Sequence, residues 1–325
     1  MSANPGRIDV HHHILPALYT GTLATRGITG GGGVTFPAWD LASALAMLDR
    51  QGIATAVTSV SAPGVHFGDD RAARELARRC NEFSAQLVAD HPTRFGAFAV
   101  LPLPDVKGAL DELEHALDVL RLDGVVLLAS QSDGRYLGDP LFEDLMAELD
   151  RRRAVAFVHP AVPKSSEALP LDIPGAALEF TFDTTRAALN LVWNGVVERR
   201  PNIRFILSHA GGTIPFLAHR ISLFGALPAA RERMRKGPLH YLRTFFYDTA
   251  LSASPHPLRS LQELVPPEQI LFGSDYPFAP EPITKASVDG LAAYPGFDAA
   301  ARAKVERANA LALLPTVARR VGASR

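Results

Sequence analysis

Short runs of apolar residues, rich in β-branched and aromatic side chains, recur along the whole chain. Each is followed by Gly, Pro, Ser or Asp and then by a longer stretch at helical spacing. Eight such runs stand at residues 8–11, 54–60, 95–101, 124–128, 155–159, 203–208, 245–248 and 270–273. Most are continuous rather than alternating, the pattern of strands covered by helices on both faces, so parallel strands are predicted. Between them helices are predicted over 40–51, 69–90, 106–121, 140–152 and about 176–199. Asp40, Asp69, Asp105 and Asp139 stand where a helix start favours a capping carboxylate. Eight strand-then-helix units in 325 residues predict an α/β fold, a (β/α)8 TIM barrel formed as one domain over residues 1–325. An open doubly wound sheet is the alternative, although it normally has fewer strands and a glycine-rich first turn. The stretch 20–37, with Gly30 to Gly33 in a row, lacks the Lys-Ser/Thr that completes a phosphate loop; it reads as a flexible lid or substrate loop after the first strand.

Composition narrows the function classes. With 33 Lys plus Arg against 34 Asp plus Glu, a net charge of -1 and 47% hydrophobic residues, the chain has neither the charge imbalance for nucleic acid or acidic membranes nor the polarity of a disordered protein. Its apolar runs fall short of the roughly 18 residues of a membrane span. The opening residues 1–7 carry no apolar core of a secretion signal, so a cytoplasmic enzyme is expected. Cys80 is the single cysteine, which excludes an internal disulfide and a thiolate cluster. Any metal must be held by His and carboxylate.

The predicted strand ends carry such residues. The first ends in Asp9-Val10-His11-His12-His13, where alternate residues of an extended chain face the same side, so His11 and His13 can chelate one cation. A surface turn is the bland alternative. The fifth run delivers His159, the sixth leads into Ser208-His209-Ala210-Gly211-Gly212, and the eighth into Gly273-Ser274-Asp275-Tyr276-Pro277. Taken singly, each also fits a buried His bonded to carbonyls, or an Asp in a turn. A barrel opens all four strand ends onto the face where barrel active sites lie, and these residue types suit a hard or borderline divalent ion.

In these motifs the sequence resembles the amidohydrolase superfamily, and within it the metal-dependent decarboxylases of the aminocarboxymuconate-semialdehyde and 6-methylsalicylate type. The resemblance runs from residue 8 to about 314 and ends in Arg307-Ala308-Asn309-Ala310-Leu311, similar to the family's final helix. It implies His11, His13, His159 and Asp275 as ligands of one divalent ion, zinc first and manganese as the alternative. It also implies His209 as a catalytic group beside the ion, Asp275 as a second catalytic group, and a homodimer. Binuclear members use a carboxylated lysine at the end of strand four; here that strand reads Val125-Val126-Leu127-Leu128-Ala129-Ser130, and no Lys occurs between Lys107 and Lys164. One ion per chain is therefore expected. The arginine that some members lend across the dimer has no clear match, although Arg231, Arg233 and Arg235 lie close to the corresponding place.

For substrate contacts, Arg186 could anchor a carboxylate, His66 could reach the pocket from the loop after strand two, and Phe36 and Trp39 could form its walls. The bland readings are a solvated Arg, a surface His and the apolar entry to a helix; Arg220 reads as a structural ion-pair partner. The expected activity is non-oxidative decarboxylation of a small aromatic or conjugated hydroxy acid, with Asp275 or water at the ion giving the ring carbon a proton and His209 moving protons. A hydrolase of a small lactone or amide, using the same mononuclear site, is the alternative. A purely structural metal is disfavoured, because such sites close their coordination shell.

Overall fold

The computed structural model describes residues 6–169 and 171–322. Its eight barrel strands are β1 (Arg7–His13), β2 (Ile53–Ser59), β3 (Phe95–Val100), β4 (Gly124–Leu128), β5 (Val155–His159), β6 (Arg204–Leu207), β7 (Phe246–Asp248) and β8 (Ile270–Leu271). They pair in sequence order, each parallel to the next, as continuous apolar runs require. The barrel closes between β8 and β1: Val10 N–H donates to Phe272 O at 3.0 Å, Asp275 N–H to His11 O at 2.8 Å, and His13 N–H to Tyr276 O at 2.7 Å. The fold is a (β/α)8 TIM barrel.

Each predicted cap is made. Asp40, Asp69, Asp105 and Asp139 accept from the backbone N–H of Ser43, Ala72, Gly108 and Leu141, satisfying donors that a helix start leaves open. The helix Asp70–Asp90 buries Ala73, Leu76, Ala77, Cys80, Ser84 and Leu87, one stripe at 3.6-residue spacing that lies on the barrel wall. On the same stripe Asn81 reads β3 directly: its amide donates to Val100 O and accepts from Val100 N–H, both at 2.9 Å. Inside the barrel Phe98 and Phe157 stack at 5.7 Å, and Phe157 presents its ring to His11 at 4.9 Å. The floor beneath the strand-end face is thus aromatic and buried.

Three parts differ from the sequence-based expectation. The stretch 20–37 is not a structureless loop: residues to Ala24 belong to the helix Ala17–Ala24, and Gly30–Gly31 pairs antiparallel with Val34–Thr35. Gly32 and Gly33 turn this hairpin with φ of +63° and +78°, values open to glycine and matching the two-residue turn that follows strand twist. The helices Ile214–Phe224, Pro255–Leu264 and Glu281–Ala293 were not predicted. The first lacks a polar face to give it helical periodicity. Finally, the segment 307–311 is followed by a further helix, Pro315–Gly322, whose Val317 is buried.

Candidate metal centre

The strand alternation that points His11 and His13 to one side leaves His12 on the other. There Asp9 accepts from His12 Nδ1 at 3.1 Å, His11 N–H at 3.0 Å, Ser274 N–H at 3.0 Å and the Ser274 hydroxyl at 2.6 Å. One buried carboxylate therefore ties the ends of β1 and β8 together, fixing His11 and His13 relative to Asp275.

Each imidazole of the cluster has its remote nitrogen committed. Asp248 can accept but not donate, so His11 Nδ1, 2.7 Å from its Oδ2, carries the proton. The same logic gives His159 Nδ1 a proton shared with Pro160 O at 2.8 Å. His13 Nδ1 bonds the Ser59 hydroxyl at 3.0 Å. The Nε2 atoms then converge: His13 Nε2 lies 3.0 Å from both His11 Nε2 and Asp275 Oδ1. One donor atom from each of His11, His13, His159 and Asp275 lies within 4.8 Å of every other, all buried. This convergence of ligating atoms, oriented by outer hydrogen bonds, is what a single divalent cation satisfies, so the residues fit the ion.

The electrostatics agree. Burial disfavours charge on His11, yet Asp248 and Asp275 outweigh it and push its pKa up to about 10. Burial holds His13 below the ordinary imidazole value and His159 well below it, the neighbouring imidazoles adding to the effect on His159; both are neutral and ready to donate a lone pair. For Asp275 burial works toward protonation, but His11, His13 and His209 prevail and hold the carboxyl well below the usual range.

His209 stands beside this cluster. Its Nε2 is 3.5 Å from Asp275 Oδ2, and neither ring nitrogen makes a hydrogen bond although both are buried. Backbone strain marks the same place: His209, Ala210 and Asp275 have φ of +54°, +56° and +62°. Non-glycine residues held there cost roughly 1–3 kcal/mol each, a cost met at functional sites. Asp248 supports this geometry, because its Oδ1 accepts His209 N–H at 2.9 Å while Oδ2 holds His11. Sequence reasoning missed Asp248, although a polar residue ending the seventh apolar run is the same signal that revealed His159.

A cavity of about 220 Å³ opens onto His159 and Asp275. Phe180 and Phe278 set their rings against His159 and His13, at 5.9 and 5.5 Å, and Val34, Ala62, Ala279 and Ile283 continue the wall. No Lys or Arg is among its described lining residues.

Of the expected substrate contacts, none lines this cavity. Arg186 lies 3.8 Å from Glu179 and over the Phe182 ring, facing a separate groove with Tyr136 and Trp193. His66 bonds Ser132 Oγ at 2.9 Å and Asp70 at 2.8 Å. Trp39 packs on Phe83, and Phe36 sits behind the wall against Tyr19 and Phe278. Arg220, Arg231, Arg233 and Arg235 are exposed. At the end of β4, where a bridging lysine would stand, Ser130 donates to Asp183 at 3.1 Å.

The profile of the family described as amidohydrolase matches residues 8–316. A 6-methylsalicylic acid decarboxylase of Penicillium expansum is 36% identical over 292 residues, 89% of this chain and 90% of that protein. A gamma-resorcylate decarboxylase of a Rhizobium species is 30% identical over 247 residues, 72% of this chain and 76% of that one. Among solved structures, a dihydroxybenzoic acid decarboxylase of a Polaromonas species, with bound manganese and the inhibitor 2-nitroresorcinol, superimposes with a TM-score of 0.81 at 25% identity, covering 95% of this chain and 97% of that one.

Proposed function

The chain belongs to the amidohydrolase family, and on that footing we propose that it is a metal-dependent carboxy-lyase. It removes carbon dioxide, without oxidation, from a small aromatic or conjugated acid bearing a hydroxyl next to the carboxylate. The observation that carries this reading is a four-donor cluster opening onto a one-ring cavity whose described lining offers no Lys or Arg, so the substrate's negative charge is met by the ion. The relatives are named for the same chemistry.

His11, His13, His159 and Asp275 would hold one divalent ion, and three neutral imidazoles with one carboxylate would leave it a net positive charge. When bound, the ion supplies Lewis acidity toward the carboxylate and the neighbouring hydroxyl oxygen. Zinc suits the donor set, with manganese as the alternative. Asp275, ionised at rest, takes the hydroxyl proton of the entering substrate and delivers it to the ring carbon that carries the carboxylate. The bond from that carbon to the carboxylate then breaks, its electron pair returns to the ring, and carbon dioxide leaves. His209 relays a proton from solvent to restore the hydroxyl. Phe157, Phe180 and Phe278 exclude water while the ring carries this charge.

All of this takes place in one barrel domain, placed in the cytoplasm. The single cysteine, Cys80, is buried and unpaired, which fits such a reducing setting. No helix among the described residues is long and apolar enough to cross a membrane. The protein acts as a homodimer joined through the helix Ile214–Phe224, in which Ile214 alone is buried while Phe216 is 84% and Leu223 62% exposed.

The test is a panel of ortho-hydroxy acids, their para-hydroxy isomers, lactones and amides. Carbon dioxide should be released from the ortho-hydroxy acids and scarcely from the para isomers, whose two oxygens cannot reach one ion together. Hydrolysis of lactones or amides with no carbon dioxide from any acid would overturn the reading.

A further inference from the structure

The relatives' names leave two kinds of substrate open. One, 6-methylsalicylic acid, carries a methyl group on the far side of its carboxylate; the other, gamma-resorcylate, carries a second hydroxyl there. In either acid the carboxylate and one ortho hydroxyl would be spent on the ion. The remaining ortho substituent therefore turns away from the ion toward the cavity wall, and the wall decides between methyl and hydroxyl.

That wall is hydrocarbon. Beyond His159 and Asp275, its described residues include Val34, Phe180, Phe278 and Ile283, and Ser61 is the one lining residue among them with a polar side chain. Ser61 comes from the loop after β2, and Val34 from the glycine hairpin facing it. A methyl group entering here leaves water for a surface of like polarity. A hydroxyl on the wall away from His159 and Asp275 gives up its hydrogen bonds to water and finds at most the Ser61 oxygen, so it is disfavoured by desolvation.

We infer that the apolar wall formed by Val34, Phe180, Phe278 and Ile283 is the specificity determinant of this site, selecting an ortho-hydroxy aromatic acid whose second ortho substituent is an alkyl group over one bearing a hydroxyl. The inference rests on the decarboxylase reading for what the cavity holds, and on the lining alone for what the cavity prefers. Val34 and Ile283 are the residues to alter. Val34→Thr exchanges one methyl for a hydroxyl at nearly constant shape, and Ile283→Thr adds a hydroxyl while shortening the side chain by a carbon; Val34 stands on the hairpin, and Ile283, 42% exposed, in the first turn of the helix Glu281–Ala293.

The experiment compares 2-hydroxy-6-methylbenzoate with 2,6-dihydroxybenzoate on protein loaded with zinc and, separately, with manganese, by kcat/KM for carbon dioxide release and by calorimetric binding. The wild type should prefer the methyl acid roughly ten- to hundredfold, the range one group commands in a hydrophobic pocket. Val34→Thr and Ile283→Thr should each narrow that ratio at least threefold, with melting temperature and metal content checked so that one folded variant suffices. Equal or reversed preference in the wild type overturns the inference and leaves the decarboxylase reading untouched. A wild-type preference that neither folded variant narrows also overturns it, by moving the discrimination off this wall. Retained binding preference with no carbon dioxide from any acid supports the wall and sinks the decarboxylase reading alone.

Discussion

At the scale of single residues the site separates groups that hold the ion from groups that move protons. His159 has its Nδ1 engaged by Pro160 O and its Nε2 free to ligate, whereas both ring nitrogens of His209 are unengaged beside Asp275. His209→Asn should therefore cost about 10²- to 10⁴-fold in kcat while retaining the ion, and His159→Ala should lose both. Metal content of the purified variants decides; an ion lost with His209 would make it a ligand. His11 gives a second expectation. With its pKa pushed up to about 10 by Asp248 and Asp275 against the effect of burial, it is protonated at neutral pH in the metal-free protein, and a ligand must be deprotonated. Metal uptake at pH 7 should release about one proton per ion, and the release should vanish above about pH 10. Calorimetry in buffers of different ionisation enthalpy measures it, and uptake without proton release at pH 7 refutes it. The ligand types were readable from the sequence because each stands at the end of an apolar run; Asp248 ends such a run too, but its role exists through His11 and His209, which come from two other strands.

Among the elements, the glycine hairpin departs furthest from its sequence reading. A row of glycines looks flexible, yet here each small residue permits a contact. Gly32 O accepts Ala176 N–H at 2.7 Å, and a Cβ on Gly32 would come within 2.5 Å of the Phe180 ring. The hairpin is thus fitted to the wall of the cavity rather than swinging over it. Gly32→Ala combines an unfavourable φ with a push on Phe180, and should lower kcat/KM about tenfold or more while the melting temperature falls by a few degrees at most, the hairpin lying outside the barrel core. Steady-state kinetics beside a thermal melt tests this; unchanged kcat/KM would show that Phe180 has room to yield. The helices Asp70–Asp90 and Glu143–Arg152 were readable in advance because one face is apolar and the ends carry acids. The helix Ile214–Phe224 was hidden by being apolar nearly all round.

For the molecule as a whole, that helix leaves a face of Phe216, Leu223 and Phe224 in water, the kind of surface a monomer rarely keeps. A dimer that buries it should run at twice 35.0 kDa by light scattering, and Phe216→Glu with Leu223→Glu should yield a folded monomer of half that mass. A wild-type monomer would remove the proposed interface.

The barrel itself needed little beyond the sequence. Eight continuous apolar runs cannot each be buried on both faces except in a parallel sheet covered by helices, and alternation along an extended strand fixes that His11 and His13 face together while His12 faces away. Chain order likewise places His159, His209 and Asp275 at strand ends of one face. What distances those ends keep is set by closure, through Asp9 bridging β1 and β8 and Asp248 bridging His11 and the His209 turn. The lining of the cavity is decided at the same level. Val34, Ser61 and Phe180 come from three segments between strands, and Phe278 and Ile283 from the segment after β8. No local pattern marks them, because a residue's approach to a cavity depends on how its loop packs against loops distant in sequence. Arg186, Trp39 and His66 carried plausible chemistry in the sequence, and packing turned each toward another partner. Burial periodicity is a one-dimensional property that the chain carries with it; the chemistry of a pocket wall arises when segments far apart in the chain meet.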